Sequence, residues 1–82
     1  MRYRIAVEVM LKPAILDPAG QATEGILQQM GFSAEDVRIG KRITVETEAD
    51  SAAAAEIAGR QMAEKLLANP VMEDFSVSVV AL

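Results

Sequence analysis

No histidine and no cysteine occurs in the 82 residues. The side chains that most often supply acid–base, nucleophilic and soft-metal chemistry near neutral pH are therefore missing. What remains for chemistry is carboxylate and cationic. Gly40-Lys41 invites a phosphate-loop reading, but that pattern needs a glycine five positions earlier and a Ser or Thr after the lysine. Glu35 and Arg42 stand in those places. Arg38, Lys41 and Arg42 could grip an anion or a partner's acidic patch, the ordinary alternative being a solvated strand end. Asp17, Glu35, Asp36, Glu46 and Glu48 lack the spacing of a calcium loop, and no two of them form a pair of fixed geometry. Caps, turns and an exposed strand face are their ordinary roles. Function is thus expected in surfaces, with no catalytic residue and no metal ligand in this chain.

Composition narrows the class of surface. Twelve acidic residues against eight basic ones give a net charge of -4. That excludes a general nucleic-acid binder, whose affinity rests on neutralising phosphates, and a polybasic membrane anchor. The absence of cysteine excludes a disulfide scaffold. Glu8 and Lys12 interrupt the first apolar stretch too early for a signal peptide, and no run approaches the ~18 apolar residues of a membrane helix. A single cytoplasmic domain, residues 1–82, is expected. A domain this small buries only about 60–65% of its unfolded surface. A hydrophobic content of 51% therefore suggests an apolar face left over for a partner or a second copy.

The elements that position these groups follow from periodicity. Tyr3, Ile5, Val7, Val9 and Leu11 alternate with Arg4, Ala6, Glu8 and Met10, which is a strand with one buried face. Asp17 caps a helix over 18–30 with Pro18 at its first position, and Gly20 in the first turn lets a bulky partner approach the backbone. Ala22, Ile26 and Met30 form its stripe, and Gly31 stands where a left-handed cap is expected. One long middle strand is predicted over 36–48, bent at Gly40; a Gly-Lys hairpin turn is poor chemistry by comparison. Asp50 is the expected cap of a second helix whose stripe is Ala55, Ala58, Met62 and Leu66, stopped by Asn69-Pro70. Phe75, Val77 and Val79 alternate in a last strand. The order is strand, helix, strand, helix, strand: an α+β, ferredoxin-like two-layer sandwich. Both helices are expected on one sheet face, with a mixed face of Arg4, Ala6, Glu8, Met10, Thr44 and Ser78 on the other.

Four segments in this order carry a resemblance: the strand ending at Leu11-Lys12, Asp17-Pro18-Ala19-Gly20, Val37-Arg38-Ile39-Gly40-Lys41, and Leu66-Leu67-Ala68-Asn69-Pro70-Val71-Met72-Glu73. Together they resemble the PurS family, the small subunit of phosphoribosylformylglycinamidine synthase in purine biosynthesis, from end to end. The resemblance implies a PurS-like single domain and a non-catalytic role inside an ATP- and glutamine-dependent amidoligase. By the same resemblance the subunit is a homodimer or higher homo-oligomer. It bridges a glutaminase subunit and a large synthetase subunit and aids ammonia transfer between them. ATP and Mg are then expected on the large partner and no cofactor on this chain. Three contact loops are expected: Asp17, Pro18 and Gly20; Arg38, Gly40 and Lys41; Asn69, Pro70 and Glu73. Turn and cap chemistry is the ordinary explanation of the same nine residues. The rival reading is a small dimeric metabolite-binding regulatory domain. An RNA-binding sheet is disfavoured, because Tyr3 and Phe75 have the parity of the buried face.

Overall fold

The computed structural model describes residues 1–82. Its sheet has the order β2-β1-β3, with β1 (Arg2–Leu11) central and antiparallel to both β2 (Lys41–Glu48) and β3 (Glu73–Ala81). The period-two pattern of β1 does what it predicts. Ile5, Val7 and Val9 are the largest fully enclosed side chains, and Tyr3 is buried beside them. The register carries that face across the sheet: Ile5 lies between Val45 and Val79, and Val7 between Ile43 and Val77.

Antiparallel neighbours need no crossover, and this decides where the helices go. β1 and β2 are adjacent, so α1 (Pro18–Gln29) is an excursion off the end of β1 and packs extensively on no other element. β2 and β3 lie on opposite sides of β1, so their connection has to cross a face. α2 (Ala52–Met62) crosses there, over β1 and β3. The expectation that both helices cover one face therefore holds for α2 alone. The molecule is correspondingly long, 50 × 27 × 14 Å.

Contact between α2 and the sheet is made by small residues. Ala55, Gly59 and Ala63 are buried, and a Cβ on Gly59 would lie 2.7 Å from Ile5 Cγ2 and 2.9 Å from Val77 Cγ1. The predicted cap moves by one residue: Ser51, not Asp50, accepts from the Ala54 amide at 3.1 Å. The predicted stripe also drifts. Residues 63–67 form a π-helical turn, closed by the Ala68 amide on the Ala63 carbonyl at 2.9 Å. The widened turn rotates the following residues, so Ala68 is buried while Leu66 is 82% exposed.

The middle strand begins at Lys41 rather than near 36. Its would-be extension loses its ladder donors to side chains. The Val37 amide donates to Glu24 Oε1 at 3.0 Å and the Ile39 amide to Asp17 Oδ2 at 2.8 Å. No hairpin forms at Gly40-Lys41 either.

Candidate partner-contact site

Three of the four singled-out segments meet where β1 ends, and Lys12 is the residue that joins them. Its amide donates to the Met72 carbonyl at 2.8 Å. Its own carbonyl accepts from the Ile15 amide at 2.9 Å and from Arg38 Nη2 at 3.0 Å. Its ammonium reaches Asp74 Oδ1 at 2.7 Å. Sequence reasoning marked Lys12-Pro13 only as a strand end. No local signal marks it: only the sheet order, with β1 central, places the residue leaving that strand beside whatever leads into both edge strands.

The first loop is organised by Asp17, which is only 4% exposed. One carboxylate oxygen accepts from the Gly20 amide at 2.8 Å, the N-cap predicted for it. The other accepts from Ile39, 22 residues away, which no local pattern foretells. The Ile39 and Gly20 amides, in that order, hold the carboxyl below its ordinary range against the opposing effect of burial, and the Arg38 charge adds to them. Pro18 opens α1 and is exposed. Gly20 is buried, and the group close to it belongs to this chain: a Cβ there would stand 2.1 Å from the Val37 carbonyl oxygen.

In the second loop Arg38 turns inward. One terminal nitrogen donates both to Lys12 and to the Ile15 carbonyl, the latter at 2.8 Å. Gly40 presses on the edge of β1, where a Cβ would meet Met10 Sδ at 2.0 Å and the Val9 carbonyl at 2.4 Å. Lys41 pairs with Val9 in the ladder and is exposed. The third loop is a closed turn. The Asn69 amide donates to Glu73 Oε1 at 2.6 Å, the Glu73 amide returns to the Asn69 carbonyl at 2.8 Å, and Asn69 Oδ1 accepts from Val71 at 3.0 Å. Pro70 is exposed there, as is Val71 at 78%.

The nine residues thus gather around the end of β1 and divide by task. Asp17, Gly20, Arg38, Gly40, Asn69 and Glu73 spend their polar groups or their small size on holding the loops. Pro18, Lys41 and Pro70 face outward. Two open hollows flank the β1 end. One, of about 290 Å³, is lined by Val9, Leu11, Ile39, Gly40, Lys41 and Glu73. The other, of about 300 Å³, is lined by Met10, Leu11, Pro13, Asp36, Arg38 and Asp74. Such a surface offers rigid backbone relief, apolar side chains and one outward lysine, which suits docking better than bond-making. No three His, Cys, Asp or Glu side chains are grouped to hold a metal ion, and no helix is long and apolar enough to cross a membrane.

Comparison with known proteins gives the family and the fold. The family model described as PurS, phosphoribosylformylglycinamidine (FGAM) synthase, matches residues 4–81. The phosphoribosylformylglycinamidine synthase subunit PurS of Synechocystis is 41% identical over 81 residues, covering 98% of this chain and 81% of that protein. The structure of Thermus thermophilus PurS superposes with a TM-score of 0.90 at 38% identity, covering 100% of this chain and 99% of that one. A chain in the structure of PurLQS from Thermotoga maritima superposes with a TM-score of 0.85 at 32% identity, covering 98% and 99%. The chain belongs to the PurS family of phosphoribosylformylglycinamidine synthase subunits.

Proposed function

We propose that this chain is the non-catalytic bridging subunit of its synthase, docking a glutaminase subunit and a large ATP-dependent subunit and working as a homo-oligomer. The observation that carries the reading is surplus surface. A compact protein of 8.8 kDa exposes about 4,800 Å² by the scaling of folded monomers. This chain exposes 5609 Å². The difference, about 800 Å², is what one partner contributes to a standard interface. The three loops at the β1 end supply preformed relief for such contacts, and a likeness to a chain in a PurLQS structure favours assembly as their purpose.

The contribution to chemistry is then positional. Holding a site that releases ammonia close to one that consumes it limits loss to water and to protonation, an effect of proximity. ATP and Mg belong in this reading to the large subunit, and the assembly to the cytoplasm. Family membership does not favour the alternative of a metabolite-binding regulatory domain.

The test is a tagged pull-down from native cells in the presence of glutamine and Mg-ADP, with co-purifying chains identified by mass spectrometry. Recovery of a glutaminase and a large synthetase is the expected result. Return of the chain alone, or glutaminase or ATPase turnover by the homogeneous chain, overturns the bridging role.

A further inference from the structure

We propose that Arg38 and Asp17 form a polar latch that fixes the angle of α1 to the sheet, making the helix a rigid lever. The need for a latch follows from the packing. α1 has no extensive contact with any strand or with α2, and within it only Gly20, in the first turn, is buried. Ile26 and Met30, farther out, are 58% and 65% exposed. Within the single chain, apolar burial of the kind that normally orients a helix on its own sheet is therefore slight for this one.

The root of the helix instead carries a set of polar ties, each joining the chain that enters α1 to the chain that returns from it. Asp17 lies on the entering side and accepts from Ile39 on the returning side. Arg38 lies on the returning side and donates to Lys12 and Ile15 on the entering side. Glu24, one turn up the helix, accepts from Val37. The Val37 carbonyl sits where a Cβ on residue 20 would be, so the two segments are also in steric register. Because Asp17 caps α1 and simultaneously holds Ile39, the first turn of the helix and the segment leading into β2 are tied by one carboxylate. Arg38 is therefore a positioning residue for the lever, whatever docks against its far end.

Absence of native cysteine makes the test direct. Spin labels at Gln29→Cys, on the last turn of α1, and Gln61→Cys, on α2, report the lever's angle by electron–electron distance measurement in the full chain. The labelled chain is diluted with excess unlabelled chain so that only intramolecular distances count. A single narrow distribution is expected in the parent. Arg38→Met and Asp17→Asn should each broaden it severalfold, while sheet circular dichroism persists. Arg42→Met, which removes an exposed ion pair with Glu8, should leave it narrow. A broad distribution in the parent overturns the latch, as do narrow distributions in both folded variants. Loss of the folded sheet in both variants overturns it as well, because a latch local to the root leaves the sheet standing.

Discussion

A carboxylate that is buried and ionised must be hydrogen-bonded to be tolerated, and Asp17 meets the requirement with amides from two separate segments. Since those amides lower its folded pKa, the charged form contributes stability. That contribution is fully present above the unfolded carboxylate pKa, near about 4, and is lost as pH falls through the lowered folded value. Asn at this position keeps one acceptor oxygen but turns an NH₂ group toward the second amide. Asp17→Asn should therefore lower the urea midpoint at pH 7, and its deficit against the parent should shrink as pH drops below about 4. Parallel unfolding curves with a constant gap from pH 7 to pH 3 would show that the carboxylate charge is irrelevant. Gly20 tests the same junction by shape. Its Cβ position is occupied by backbone, which cannot swing away as a side-chain end can, so Gly20→Ala should cost about 1–3 kcal/mol by thermal unfolding.

Among the elements, Gly25 of α1 and Gly59 of α2 should respond in opposite directions to the same substitution. Gly59 faces Ile5 and Val77 within 2.9 Å of its missing Cβ, so Gly59→Ala should destabilise by about 1–3 kcal/mol as α2 is pushed off the sheet. Gly25 meets nothing within 4 Å, so Gly25→Ala should stabilise by about 0.5–1 kcal/mol through helix propensity alone. Equal effects in denaturant melts would mean that the two helices are packed alike. The contrast also marks where the sequence was readable. Strand periodicity, the Asp17 cap and the Gly31 turn, with its φ of 96°, are local signals, and each appears where it was expected. The larger failures are non-local. The middle strand shortens because Asp17 and Glu24 capture amides far along the chain, and α1 leaves the sheet because β1 and β2 pair directly. The π-helical turn displaces Leu66 by a single inserted residue that composition does not announce. Of the nine proposed contact residues, the sequence supplied the turn chemistry; their gathering around Lys12 needed the sheet order.

For the molecule as a whole, the radius of gyration is 16.0 Å, where a compact chain of this length is expected near about 12 Å. Only 11 of 82 residues are buried, which leaves Ile5, Val7 and Val9 as the centre of a thin core. Two apolar surfaces go uncovered in complementary fashion. The β2 side of the inner sheet face, with Ile43 and Val45 half-buried, lacks a helix above it, and α1 lacks a sheet below it. A second copy would satisfy both at once if each lever lay over the other's β2, an exchange that closes by two-fold symmetry. Self-association of that kind ties stability to concentration, by about 1.4 kcal/mol per mole of dimer for each tenfold rise in total chain. The melting temperature should accordingly climb across a dilution series, and sedimentation should give a mass of at least two chains. Ile26→Lys with Met30→Lys should flatten the climb, and Gln21→Lys, a polar position on the same helix, should not. A melting temperature independent of concentration in the parent would instead reserve the surplus surface for the other subunits of the synthase. The lever would then be an arm waiting for a different chain.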